Sequence, residues 1–186
     1  MKKLLILLTF AAGITLGNAK PTELVMSLDD TFTVQDTADW KVSVDKLLTL
    51  RFADVYVAPK GPQSFSLMLY FKCDTPDLAN YDTPEKMKRA LVGSSQQYLG
   101  GIVEKELVIE EIKYGGWYGF KTKITDASLV GKKALAEGEF LYMVRGMIRL
   151  SKDSALGFSL MTNNLESDET KQVMNYVFSF VKPRTP

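Results

Sequence analysis

The sequence predicts an α+β fold: a mainly antiparallel β-sheet flanked by helices, arranged as an α-β-α sandwich. Three observations lead there. Short alternating apolar and polar runs dominate the chain, and two segments carry apolar residues at steps of three or four instead. The strand runs are joined by turn and hairpin signals, which imply antiparallel neighbours. A long run near residue 145 is apolar on both parities, so each face of the sheet needs a covering layer.

The elements follow in order. Residues 31–34 and 40–44 are short alternating runs, residues 47–52 and 55–58 continue the pattern, and Pro59-Lys60-Gly61-Pro62 is a turn. Residues 65–73 form the best strand of this half, with Phe65, Leu67, Leu69, Phe71 and Cys73 on one face. A helix is expected from Asp82, which is placed to cap it. Pro84 suits the first turn, Glu85 lies at capping-box spacing, and Gly100-Gly101 is the stop. Met87, Leu91, Ser94, Tyr98 and Ile102 line its inner stripe. Residues 104–113 and 117–125 are expected to pair across Tyr114-Gly115-Gly116. Residues 135–150 read as one long strand, with Gly138 and Gly146 as bulge or close-approach points, and residues 156–162 as another. Ser167 caps a final helix whose stripe is Val173, Val177, Phe180 and Val181, ended by Pro183.

Composition narrows the function. The chain has no histidine, which excludes the usual serine and cysteine triads, imidazole zinc sites and histidine general bases. Its only cysteine, Cys73, can form no disulfide within the chain and is expected as a buried small hydrophobe; an intermolecular disulfide or a nucleophile is the sharper alternative. No Gly-rich phosphate loop occurs. Catalytic residues, metal and cofactors are therefore expected to be none.

Residues 1–19 have the three parts of a secretory leader: Met1-Lys2-Lys3, an apolar run over residues 4–16, and Gly17-Asn18-Ala19 as the cleavage site. A run of thirteen residues, broken by Thr9, Gly13 and Thr15, is too short for a bilayer core that needs roughly 20. No cysteine near the cleavage point offers a lipid anchor. The expected working chain is one domain, residues 20–186, in the periplasm or outside the cell. No stable membrane insertion is expected once the leader is removed. Without Lys2 and Lys3 the basic count falls from 23 to 21, against 22 acidic residues, so there is no basic field for nucleic acid.

Three groups of residues stand out as candidate sites. Trp117 and Tyr118 follow the hairpin glycines and could anchor a partner, or Trp117 could pack on a neighbouring element. Met143, Arg145 and Arg149, with Met147, make a mixed Arg/Met strand face suited to protein contact, or a face whose arginines reach past the covering layer. Glu104, Glu106, Glu110, Glu137 and Glu139 could gather as oxygen ligands for a cation, or remain solvated edge carboxylates.

Several landmarks, taken together, resemble the PsbP-like superfamily, which includes PsbP, Ran-binding Mog and bacterial DcrB-type periplasmic proteins. They are Asp39-Trp40-Lys41-Val42 before the early strands, the strand at 65–73 feeding a capped helix, and Tyr114-Gly115-Gly116-Trp117 leading into long strands. The strand holding Phe158 then runs to a closing helix that ends Tyr176-Val177-Phe178-Ser179-Phe180. The resemblance implies an α-β-α sandwich and a non-enzymatic binding or accessory role. The expected function is protein–protein contact in the periplasm, with another envelope or secreted protein as partner. The alternatives are an immunity protein that neutralises a secretion-system toxin and a carboxylate-based hydrolase or lyase.

Overall fold

The computed structural model describes residues 21–25, 31–49, 52–113 and 117–181. The leader and the Tyr114-Gly115-Gly116 turn lie outside the described residues. The strands are β1 (Thr22–Val25), β2 (Thr31–Val34), β3 (Trp40–Thr49), β4 (Phe52–Pro59), β5 (Phe65–Cys73), β6 (Glu110–Glu111), β7 (Gly119–Thr125), β8 (Tyr142–Arg149) and β9 (Ser154–Thr162). The helices are α1 (Pro84–Ser95) and α2 (Asp168–Ser179). Strands β1 and β2 pair with each other, and the other seven form one sheet in the order β3-β4-β5-β9-β8-β7-β6. Every pairing is antiparallel. This is the expected α+β architecture.

The strict alternation of β5 decides which way the sheet faces. Phe65, Leu67, Leu69, Phe71 and Cys73 are all at most 1% exposed, whereas Ser66, Met68, Tyr70 and Lys72 are half-buried. The first set joins Val55, Leu156, Phe158, Leu160 and Ile148 in the main core, which α2 closes with Val173, Val177 and Phe180. The β1–β2 pair adds Leu24, Phe32 and Val34 to the same layer. The opposite face receives α1, whose Met87 and Leu91 pack on Phe120, with Tyr118 and Met147 beside them. Helices therefore lie on both faces, giving the sandwich. Cys73 is in the main core, in phase with the β5 residues expected to accompany it.

Both helices are capped, one differently from expectation. The Ser167 hydroxyl accepts from Thr170 N–H at 3.1 Å, as anticipated. On α1 the cap is Thr83, not Asp82: the Thr83 Oγ1 accepts from Lys86 N–H at 3.2 Å, and Asp82 instead forms an ion pair with Lys86 at 2.9 Å. Thr83 has the extended backbone a cap needs and directly precedes Pro84, whose ring suits the first turn. The regular helix ends at Ser95, and Gln96–Gly101 continue as a 3-10 turn.

Two expected strands are shorter than predicted. The strand expected over 135–150 is β8 alone, and residues 127–141 are turns and irregular chain. Strands need neighbours, and those of β8 end together at the row Thr125–Tyr142–Thr162. Gly138 has φ +83° and sits in a turn closed by Glu139 N–H on Ala136 O at 3.0 Å, so it is a turn glycine and not a strand bulge. The strand expected over 104–113 is reduced to β6 (Glu110–Glu111). Glu110 faces Lys121 and Glu111 faces Phe120, so the two arms of the expected hairpin do pair.

Candidate functional site

The site is best sought on the α1 face, because that face is incompletely filled. Helix α1 sits over β7 and β8. Beside it, β9 presents Ala155, Gly157 and Ser159 before Met161, and these three are too small to fill the space under the helix. Two hollows result, and they differ in chemistry.

The larger hollow, of about 930 Å³, opens between the 3-10 turn after α1 and residues 126–141. Tyr98, Ile102, Ile124, Leu129, Met143 and Met161 supply most of its apolar wall. Its size falls in the range of ligand sites, roughly 300–1,000 Å³. Two backbone hydrogen bonds tie its walls together, Val103 N–H to Thr125 O and Ala127 N–H to Gly101 O, both 3.0 Å. Asn163 holds the far wall: its amide donates to Glu139 O at 3.0 Å and its side-chain oxygen accepts from Leu141 N–H at 2.7 Å. Leu99, Val103 and Val130 follow directly on lining residues Tyr98, Ile102 and Leu129 and are 41%, 54% and 55% exposed. Exposed apolar side chains thus stand on the segments that wall the hollow.

The carboxylates of this hollow are Asp126 and Glu139. Asp126 accepts from Ser128 N–H and Oγ. Glu139 accepts from Ala136 N–H and Lys132 Nζ, each at 3.0 Å, and these contacts hold its carboxyl below the usual range. A general acid needs the opposite shift.

The smaller hollow, of about 330 Å³, lies between α1 and the β5-β9-β8 part of the sheet. Tyr70, Lys72, Tyr81, Leu91, Arg145 and Met147 wall it, over a floor that includes Gly146 and Gly157. Burial raises the Tyr70 hydroxyl above its usual range, against the opposing pull of Ser159 and Arg145. Tyr98 and Arg145 stack at 5.2 Å, the tyrosine lining the larger hollow and the arginine the smaller.

The candidate residues take separate places. Met143 lines the larger hollow and Arg145 the smaller. Arg145 reaches back to α1, donating from Nη1 to Ser94 O and to Ser95 Oγ at 3.3 Å, and from Nε to Ser159 Oγ at 3.4 Å. Arg149 is only 6% exposed and donates to the carbonyls of Leu78 and Lys152, so it fastens loops to the sheet instead of reaching to solvent. The Tyr118 hydroxyl donates to Tyr81 O at 2.7 Å, and burial raises its pKa. Trp117 is half-buried just before β7. The structure therefore brings Tyr118, Met143, Arg145 and Arg149 to one face of the sheet but not to one point.

The glutamates are dispersed. Glu104 accepts from Thr125 N–H and Oγ1, at 2.8 and 2.6 Å, with Lys123 at 3.5 Å. Burial alone would raise its pKa, but these contacts outweigh it and hold the carboxyl low. Glu110 pairs with Lys121 at 3.2 Å, while Glu106 and Glu137 are exposed. Among the described residues, no three acidic or cysteine side chains form a cluster able to hold a metal ion.

Sequence reasoning passed over Lys72, Tyr70 and Gly157. Their signal was present: the second parity of β5 alternates Ser, Met, Tyr and Lys, and a glycine sits inside an otherwise apolar strand.

Neither a protein-family model nor a curated protein matches the chain. Among solved structures it is similar to cyanobacterial PsbP (CyanoP) from Synechocystis sp. PCC 6803, known in solution. The identity is 11% over 94% of this chain and 95% of that one, with a TM-score of 0.45.

Proposed function

We propose that the protein is an exported, non-enzymatic accessory protein of PsbP-like type that binds another envelope or secreted protein in the periplasm or outside the cell. The observation that carries this reading is the exposure of Leu99, Val103 and Val130 on the segments that wall the larger hollow. A rim of this kind is what remains when a contact surface lacks its partner. A partner laid across those segments would bury these side chains, and methionines of the hollow such as Met143 and Met161 adapt to an inserted apolar side chain. The leader-like start of the chain supports export, and the lack of histidine supports recognition over catalysis. No helix among the described residues is long and apolar enough to cross a membrane.

The test is a pull-down from envelope extract with the chain from Lys20 onward, wild type against a Leu99→Asp/Val130→Asp double variant and against Trp117→Ala. Both rim positions are exposed, so the double variant should melt like wild type. A partner retained by wild type and Trp117→Ala but lost from the rim variant is the expected result. Retention by the rim variant at full strength overturns the reading, and loss from Trp117→Ala alone moves the contact to the β6–β7 arms.

A further inference from the structure

The smaller hollow has a character the protein-contact reading does not use. Its apolar surface comes from Leu91, Met147 and Phe158, yet two cations, Lys72 and Arg145, border it. Arg145 is half-buried, and its acceptors, Ser94 O, Ser95 Oγ and Ser159 Oγ, are all neutral. Those contacts engage Nε and Nη1 and leave Nη2 out. Among the described residues Arg145 belongs to no ion pair. Lys72 is held loosely: its Nζ is 3.3 Å from the Tyr81 hydroxyl and 3.8 Å from Asp77, whose carboxylate is 59% exposed. Asp54, opposite Tyr70 on β4, is the other acidic group whose field reaches this wall. A guanidinium answered by neutral oxygens and the Tyr98 ring, and a loosely paired ammonium, leave the wall of the hollow electropositive, where a charge interacts more strongly than in water.

We propose that this hollow binds a small organic anion with an apolar body, a carboxylate on a short hydrocarbon or aromatic frame. The carboxylate takes the Lys72 ammonium by charge, while Arg145, four residues further along the β9 register, adds to the positive field of the same hollow. The apolar body lies over Gly157 and Gly146 against Leu91 and Met147. Tyr70 and Tyr81 flank it. At about 330 Å³ the space is at the small end of ligand sites, which excludes large lipids and favours a compact molecule. The absence of side-chain bulk at Gly157 is what makes room. This site is separate from the rim of the larger hollow, so the pull-down outcome leaves it unaffected.

Calorimetric titration of the chain from Lys20 onward with octanoate, 1-octanol and acetate tests the proposal. Octanoate supplies both charge and body, and each of the others lacks one. Octanoate should bind at least about tenfold more tightly than either, since each of the others lacks one of the two contacts. Lys72→Gln should weaken octanoate about tenfold with an unchanged melting temperature. Gly157→Val should abolish binding by filling the floor, and its melt shows whether the fold survives. Absent octanoate binding, octanol binding as tightly as octanoate, or unchanged affinity in Lys72→Gln each overturns the proposal.

Discussion

The two faces of the central sheet are built from the same strands, one residue out of phase, and they are opposite in character. On the α2 face aromatic rings run in contact from Phe32 to Phe71 (4.9 Å between centroids), Phe71 to Phe180 (5.2 Å) and Phe180 to Tyr176 (5.1 Å). Trp40 continues the series from Tyr176 to Phe65. On the α1 face, polar and small residues alternate with a few apolar ones, and the space between helix and sheet is left partly open. The difference divides the labour. Close packing on one face supplies stability, and that margin allows the other face to keep hollows and half-buried charges that contribute little to folding.

The largest expected effect tests this division directly. Leu69 and Met68 are adjacent on β5 and point to opposite faces, with Leu69 fully buried. Leu69→Ala should cost about 2–5 kcal/mol in urea unfolding, the usual range for a buried leucine. Met68→Ala should cost well under half as much, because its side chain is only partly buried on the open face. Equal losses would mean that the α1 face is also a packed core.

A second comparison uses two glycines. Gly146 faces Phe158, and Gly157 faces Tyr70, in cross-strand pairs on opposite faces of the sheet. A methyl at Gly146 would stand 2.3 Å from two carbons of the Phe158 ring, whereas at Gly157 it would touch Tyr70 at 3.5 Å. Gly146→Ala should therefore destabilise by about 1–3 kcal/mol, the ordinary cost of overpacking. Gly157→Ala should stay within about 0.5 kcal/mol of wild type, or gain slightly from the stiffer unfolded chain. Matching changes in the two unfolding curves would show that neither aromatic ring is held as tightly as its face implies.

How far these faces could be read from the sequence depends on whether the deciding partner is local. The strand β5, the helix α1 and the helix α2 announce themselves by period, because burial of one face acts on residues two, three or four apart. Gly146 was legible as a close approach for the same reason. Residues 104–109 and 135–141 were not, although they also read as strand. Their fate depends on where neighbouring strands end and on Glu104, a side chain that takes the Thr125 N–H an adjoining strand would have taken. The arginines misled for a related reason. Nothing near Arg149 in sequence shows that Leu78, 71 residues away, brings a carbonyl to its guanidinium. The hollows follow from the placement of α1 over β7 and β8, which no local pattern encodes.

The smallest expected effect separates the regions by pH. Glu104 anchors the wall of the larger hollow through Thr125, and its folded pKa lies below 4.5. A lowered carboxyl pKa stabilises the fold above the unfolded value, and that stability is lost as pH falls through the folded value. Tyr176 on the α2 face is the reverse case: burial pushes its hydroxyl from 10.0 up to about 12. That contribution is present below pH 10.0 and is lost as pH rises toward about 12. Acid should therefore loosen the rim first, and alkali the core. Glu104→Gln should lower stability by about 1 kcal/mol at neutral pH, as for one hydrogen-bonded group, with the gap to wild type closing below pH 4.5. Hydrogen exchange in mild acid should show Val103 and Thr125 amides exposed while the β5 amides stay protected. A gap that persists undiminished into acid, or β5 amides that open together with Val103, would mean that the two faces unfold as one unit and that the rim has no separate stability to lose.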